Sequence, residues 1–539
     1  MRFLHLVTIG LTVWPPAGAA AQRQTPPPRL VVVIVIDQFR PDYLQRFRPY
    51  FRRDGFNRFL RRGVTFTRAA YQHSVTLTCP GHAVVLTGAY PMHTGIVANQ
   101  WYDRARRAQE YCAADSSVSL VGLAGPGRSP RNLIGSTVGD MLRRSTGGRS
   151  RVIAIAGKDR SAIMLGGHRP NAAYWMEDSL VVSSSYYMKE LPDWVRRFNA
   201  SGRVSSYAGR NWDRLLPTWA YALAGADYVS AEQNVAGMGR VFPHPLPPDT
   251  SARFLDAFRS SPFQNEVLVE FAETAVSHER LGEDDDPDLL ALSFSANDLI
   301  GHAFGPNSHE VMDVTLRTDR MLQALFAFLD QRVGPDHVLI MLTADHGVAP
   351  LPELTRDRGG RRLDPSIIAN RAERALRSRF GQPPAPGWLL QVAPPWIYLN
   401  QPALQRRGFT LEEAERSAAE AVEGVAGVQR ALTAAELSRQ QQRSATSGVA
   451  LSFDAERSGD VYVELEPYVI PTQDPVGTTH GSSWSYDTRV PLLWFSSSLK
   501  RGVQRGPASI ADIAPTLSLL LGVPAPEGAQ GRVLAEMLR

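Results

Sequence analysis

The sequence predicts a doubly wound α/β fold: a mostly parallel central sheet with helices on both faces, interrupted by two cap insertions. Three observations carry this. Leu30-Val31-Val32-Val33-Ile34-Val35-Ile36 is an unbroken run of branched apolar residues, the pattern of a strand buried on both faces. Comparable runs recur at residues 151–156, 289–294 and 337–342, separated by stretches of helical periodicity, as in parallel strands joined by crossover helices. Each run ends in polar residues, at the carboxyl edge where open α/β sheets gather their ligands.

Taken in order, the chain opens with Arg2, an apolar run over 3–14 and Ala19-Ala20-Ala21, which read as a secretory signal peptide over 1–21, too short to span a bilayer. Residues 22–29, with Pro26-Pro27-Pro28, read as a stiff linker. A periplasmic or secreted protein with no membrane span in its mature form is expected. The first strand ends at Asp37; a helical pattern over 49–62 and a second strand over 63–67 follow. Pro80 and Gly81 then open a helix through Ala83-Val84-Val85-Leu86-Thr87, because a proline in a first helical turn forfeits no hydrogen bond. The strand at 151–156 delivers Gly157-Lys158-Asp159-Arg160.

Residues 171–286, aromatic, proline-rich and weakly periodic, read as the first insertion, with Asp284-Asp285-Asp286 a solvated loop. The strand at 289–294 leads to Ser295-Ala296-Asn297-Asp298, and a long helix spans 309–332 with Val311, Leu316, Leu322 and Leu325 on one side. The strand at 337–342 leads to Thr343-Ala344-Asp345-His346-Gly347. The second insertion, 353–477, holds the capping box Thr410-Leu411-Glu412-Glu413 and an exposed Gln440-Gln441-Gln442 run. His480, a strand over 490–495 and a closing helix over 509–521 complete a catalytic domain of residues 30–539.

Composition narrows the class. A 43% hydrophobic and 21% charged chain of 539 residues is ordinary for a soluble globular enzyme, and a net charge of +5 is no nucleic-acid footprint at this length. Lys158, Lys189 and Lys500 are the only lysines, so 55 of the 58 basic residues are arginine. A lysine kept where arginine is the default marks a place for a compact ammonium. Cys79 and Cys112 are the only cysteines. They could pair in an oxidising compartment, a point their spacing leaves open.

Thr78 lies at the helix start, where free N–H groups and the dipole favour negative charge. Two readings stand beside each other: an ordinary threonine N-cap, or a hydroxyl that attacks a bound anion. The strand ends add six candidate metal ligands. These are Asp37, Asp298, His302, Asp345, His346 and His480. Asp298 and His302 are four apart, so one helical turn could aim both at one ion. Carboxylates with imidazoles suit zinc or a similar divalent ion. Singly, Asp298 reads as a helix cap and His346 as a loop residue; six such groups at the strand ends of one sheet, beside a hydroxyl at a helix start, outweigh those readings. His82 reads as a supporting or packing residue. His73, His93, His168, His244, His278, His309 and His337 lack ligand partners at matching spacing.

The motifs Val35-Ile36-Asp37, Thr78-Cys79-Pro80-Gly81-His82, Asn297-Asp298-Leu299-Ile300-Gly301-His302, Thr343-Ala344-Asp345-His346-Gly347 and Thr479-His480-Gly481 together resemble the alkaline phosphatase superfamily, in its type I phosphodiesterase/nucleotide pyrophosphatase-like branch. The tail Ala511-Asp512-Ile513-Ala514-Pro515-Thr516 looks like that superfamily's closing helix, so the resemblance runs from about residue 30 to the C-terminus. It implies two Zn2+ ions, one held by Asp298, His302 and His480, the other by Asp37, Thr78, Asp345 and His346. It also implies Thr78 as nucleophile, forming and then losing a phosphothreonine. Gly157-Lys158-Asp159-Arg160 resembles the Lys-x-Arg pair of the monoesterase-type members, and Asn99 their phosphate-contacting asparagine. Two cations facing non-bridging oxygens favour a dianion, so a phosphomonoesterase acting on small-molecule phosphate esters is the expectation.

Three rivals are weighed against it. A phosphodiesterase or nucleotide pyrophosphatase would share the metals and Thr78. A sulfatase is disfavoured, because that family's Cys/Ser-x-Pro-x-Arg pattern is missing: Thr78 holds the nucleophile's place and His82 the arginine's. A catalytically dead, zinc-stabilised binding protein is disfavoured by the retention of Thr78 beside all six ligands.

Overall fold

Branched apolar residues place Leu30–Ile36 at the centre of the molecule. In the computed structural model, which describes residues 27–443 and 448–539, all seven are fully buried. Burying each such side chain contributes about 1.5–3 kcal/mol. The expected signal peptide and most of the expected linker lie outside the described residues.

The central sheet has ten strands, numbered here in chain order: β1 (Leu30–Ile36), β2 (Val64–Ala70), β3 (Leu120–Val121), β4 (Val152–Ala156), β5 (Ala172–Glu177), β6 (Leu180–Ser184), β7 (Asp288–Phe294), β8 (Val338–Thr343), β9 (Leu492–Phe495) and β10 (Gly502–Ser509). Their spatial order is β10-β2-β9-β8-β1-β7-β4-β5-β6-β3. β1 pairs in parallel with β7 and β8, and β4 with β7 and β5. Only β6 and β9 run opposite to the remaining strands. The sheet is therefore mostly parallel, as expected.

Register places the chemistry. Ile36 lies opposite Phe294, Val35 opposite Thr343, and Ser293 opposite Ala156. Four adjacent strands, β8-β1-β7-β4, thus end level with one another, and the residues that follow each emerge at one edge. The principal helices around this core are α1 (Thr78–Thr87), α2 (Asp159–Gly166), α3 (Phe263–His278), α4 (Ala296–Phe304), α5 (His309–Arg332) and α6 (Ile513–Leu521). All ten residues of α1 are buried, as its apolar circumference demands, and it stops at Gly88 in the left-handed region, φ 67°.

Three expectations are corrected. The segment 171–286 begins and ends inside the core: β5 and β6 belong to the central sheet, and α3 packs against β4 and β7, so the elaboration lies between them. The helix expected over 49–62 is a short 3-10 turn, Arg48–Tyr50, and a helix, Phe56–Arg62, because Asp54-Gly55 intervenes and the Asp319 carboxylate accepts the Phe56 N–H instead. Gln441 is not a free surface residue; its amide donates to the Ala450 and Phe453 carbonyls, each at 2.7 Å.

Between 361 and 471 the chain builds a second, smaller apolar core around Ile368, Leu376, Trp388 and Val422. Its four-stranded sheet has the order 389–393, 396–399, 461–465, 428–433. The Thr410–Glu413 capping box forms as expected, and Cys79 and Cys112 are joined, Cα atoms 6.6 Å apart.

Candidate active site

The level strand ends gather the expected residues at one buried place. Asp37 follows β1, Asp345 and His346 follow β8, Lys158 follows β4, and Asp298 and His302 lie on α4, directly after β7. His480 arrives from the loop over 472–484 that precedes β9. Its Nε2 lies 3.6 Å from Asp298 Oδ1, and the His302 Nε2 lies 3.2 Å from the same oxygen. His346 Nε2 is 3.4 Å from Asp37 Oδ1 and 3.2 Å from Asp345 Oδ2. The His346 and His480 rings stack with centroids 3.5 Å apart.

The three imidazoles share one hydrogen-bonding device. His302 Nδ1–H donates to Thr478 O at 2.7 Å, His346 Nδ1–H to Gly347 O at 3.0 Å, and His480 Nδ1–H to Thr76 O at 2.8 Å. A carbonyl only accepts, so each ring keeps its hydrogen on Nδ1 and turns the Nε2 lone pair inward, the arrangement of metal-binding histidines. Potential ligand atoms of Asp298, His302 and His480 lie within 4.8 Å of one another, and so do those of Asp37, Asp298 and His346. Asp298 is common to both groups.

The donor set also fits a cation on a second count. Asp37 Oδ1, Asp345 Oδ2 and His346 Nε2 are buried without any hydrogen-bond partner. Buried polar atoms are rarely left so, and here Asp37 Oδ1 and Asp345 Oδ2 lie 3.4 and 3.2 Å from His346 Nε2. Burial, reinforced by Asp298 and Asp345, pushes the Asp37 carboxyl well above the ordinary carboxylate range. Burial works the same way on Asp298, but His302 and Lys158 outweigh it and hold that carboxyl well below. His480 is lowered well below a free imidazole by burial and by the two neighbouring histidines, which keeps its lone pair available.

Thr78 is the first residue of α1, not its cap. Leu77 holds the capping position with extended φ/ψ, and no side chain caps this end, so the N-cap reading of Thr78 is set aside. The helix start is clamped from both sides. Thr76 O accepts from His480, and a Cβ on Gly81 would stand 2.3 Å from Asp345 O, so only glycine lets α1 come this close. His82 bridges the two parts, Nδ1 lying 2.9 Å from Thr78 O and 3.1 Å from Asp345 Oδ2, with Nε2 2.8 Å from Ser293 Oγ.

Lys158 Nζ lies 2.6 Å from Asp37 Oδ2 and 2.6 Å from Asp298 Oδ2. Burial opposes its charge, but those two carboxylates prevail and raise its pKa. Asn99 accepts the Cys79 N–H on Oδ1 at 2.8 Å, leaving its NH2 as a donor beside the helix start. Arg160 carries a buried Nε with no hydrogen-bond partner, and Tyr111 and Asp159 keep its guanidinium charged against burial. Every expected site residue thus lies at this edge. Gln38 was not anticipated. Its amide donates to Asp298 Oδ1 at 2.7 Å and its backbone N–H to Asp345 Oδ1 at 3.1 Å, at a left-handed φ of 64° that no motif advertised.

The model of the family described as type I phosphodiesterase/nucleotide pyrophosphatase matches residues 31–486. The chain belongs to this family. Among its relatives, alkaline phosphatase PhoV of Synechococcus elongatus is 34% identical, over 94% of this chain and 92% of its own. A Myroides odoratus protein named as a calcium-transporting ATPase is also 34% identical, over 94% and 93%. Alkaline phosphatase PafA of Elizabethkingia meningoseptica is 31% identical over 94% and 93%. The crystal structure of wild-type PafA superposes with a TM-score of 0.88 at 31% identity, covering 96% of this chain and 100% of that one. The family match begins within β1, takes in β7 and β8 and ends at residue 486, so every candidate ligand lies inside it.

Proposed function

We propose that this chain is an exported phosphatase that hydrolyses phosphate monoesters through Thr78. The observation that carries the reading is that Asp37 Oδ1, Asp345 Oδ2 and His346 Nε2 are buried without hydrogen-bond partners, His346 lying within 3.4 Å of both carboxylates, beside the Asp345 backbone on which Gly81 of the Thr78 helix packs. Asp298, His302 and His480 would hold one Zn2+; Asp37, Asp345, His346 and the Thr78 oxygen the other. Bound there, the pair would supply Lewis-acid neutralisation for the attacking and leaving oxygens. Thr78 Oγ1 attacks phosphorus as the ester P–O bond breaks, giving a phosphothreonine and the released alcohol. Water then takes the phosphoryl group and Thr78 regains its proton. Lys158, Arg160 and the Asn99 NH2 hold the non-bridging oxygens, and the α1 dipole favours the accumulated charge.

Charge balance supports a monoester. Three carboxylates and a threonine alkoxide, set against Lys158, Arg160 and two divalent cations, leave two positive charges. A dianionic monoester neutralises both, and a monoanionic diester only one. Export rests on the secretory signal read in the sequence, and among the described residues no helix is long and apolar enough to cross a membrane.

The test compares p-nitrophenyl phosphate with bis(p-nitrophenyl) phosphate on one preparation of measured metal content. The monoester should be turned over with the higher kcat/KM, and Lys158→Ala should erode that preference. Thr78→Ala should abolish turnover with metal retained. A diester preference would move the chain to the diesterase reading and leave the metal assignment standing.

A further inference from the structure

One cavity among the described residues lies apart from the candidate metal cluster. It measures about 540 Å³ and lies on the far side of the loop that carries Asp345 and His346. Arg40 and Tyr486 form the shared wall: Arg40 donates to Val348 O at 3.4 Å, and Tyr486 O accepts the Val348 N–H at 3.0 Å. Its lining contains none of the metal ligands.

Four arginines line this space: Arg40, Arg48, Arg358 and Arg489. The one carboxylate among the lining residues, Asp42, is already engaged by Arg40 at 2.8 Å and by Arg46 at 3.2 Å. Among the described residues, Arg48, Arg358 and Arg489 have no carboxylate partner. Arg489 is steadied by Thr67 O at 3.2 Å, and Arg358 lies over the Tyr468 ring, 4.6 Å from its centroid. Unpaired arginines are common on this surface, and what sets these three apart is that they line a single concavity. The floor is apolar: half-buried Leu60 and the 56% exposed Val503 present surface to it, while Phe66 and Leu493 in the same lining are themselves buried. A small inorganic anion would use the rim and leave the floor wet. A molecule with an anionic head and a hydrocarbon tail satisfies both, the head by charge-assisted and bidentate hydrogen bonds, the tail by burial.

We propose that this cavity is a second, non-catalytic site for an amphiphilic anion, a phosphate-type head group bearing an alkyl chain. The site does not depend on turnover. Octylphosphonate, whose C–P bond no ester hydrolase cleaves, is the probe, and calorimetry on the metal-loaded enzyme is the measurement. Two binding events are expected, one competed by p-nitrophenyl phosphate and one not. Arg48→Ala/Arg489→Ala should weaken the uncompeted event by about tenfold or more, through the loss of two charge-assisted contacts, and leave the competed one unchanged. Val503→Asp, on an exposed edge strand, should weaken the same event. Added salt should weaken it further, since the arginines are exposed. Inorganic phosphate and octyl glucoside, each carrying half of the chemistry, should bind there much less tightly. A single event on the wild type, an uncompeted event indifferent to both variants, or equal binding of either half-probe would overturn the assignment. These readings stand whether or not the chain hydrolyses any ester.

Discussion

Gln38 holds two carboxylates of the site in place, one with its side-chain amide and one with its backbone N–H. It does so from a left-handed backbone that costs a non-glycine residue roughly 1–3 kcal/mol. Gly301 makes room for it, since a Cβ there would stand 1.8 Å from Gln38 Oε1. Partners of metal-binding groups typically govern affinity by about 10–100-fold. Gln38→Ala should therefore weaken metal binding within that range in a competition with a chromophoric chelator, while saturating metal restores most of the turnover. Unchanged metal affinity would remove Gln38 from the site's design. The candidate ligands were legible in the sequence because all but His480 follow an apolar strand of the sheet and each falls in a motif. Gln38 and the bridging position of His82 were not, because both act through groups brought together only by the register of β1, β7 and β8.

At the scale of elements, the start of α1 is the part most heavily fastened. Cys79, next to Thr78, is bonded to Cys112, and the loop between them carries Asn99, whose side chain accepts the Cys79 N–H and whose carbonyl accepts the Cys112 N–H. Closing a 33-residue loop stabilises by about 3–4 kcal/mol in the chain-entropy account. Cys79→Ser/Cys112→Ser should lose stability of that order in urea unfolding, and should lower monoester kcat/KM as Asn99 drifts from the helix start. A stability loss with kcat/KM intact would mean that Asn99 is held by its own hydrogen bonds. Long elements were readable: α5 spans the residues its periodicity marked. The β5–β6 hairpin was not, because Ala172-Ala173-Tyr174-Trp175-Met176 is buried on both faces and shows no alternation. A short apolar run of this kind carries no period that separates sheet from cap.

Across the whole molecule, buried ionisable groups set opposing slopes in stability against pH. On the acid side stands His73, whose pKa burial lowers to about 3. The unfolded chain binds that proton more readily, so His73 costs stability below about pH 6.5, and the cost fades as pH rises to that value. On the other side are carboxyls that burial raises: Glu232 to about 8, with Glu310 adding to the effect, and Asp487 and Glu415 each to about 7. They lie in three different places, the first elaboration, the loop beside the metal ligands and the smaller apolar core. Each binds its proton more tightly folded than unfolded, so stability falls as pH climbs from the ordinary carboxylate range through 7 to 8. Above about pH 4.5 the three carboxyl slopes outweigh the single histidine slope, so on these groups the optimum for folding lies near pH 4–5, well below the alkaline range in which the proposed catalytic threonine would most readily lose its proton. Urea midpoints of the metal-loaded enzyme should decline from pH 6.5 to pH 9. Glu232→Gln keeps the side chain's shape and removes its titration, so it should flatten part of that decline and leave the pH 5 midpoint nearly unchanged. A variant displaced from the wild type by the same amount at every pH would show that Glu232 does not titrate in this window, and that the alkaline slope arises elsewhere.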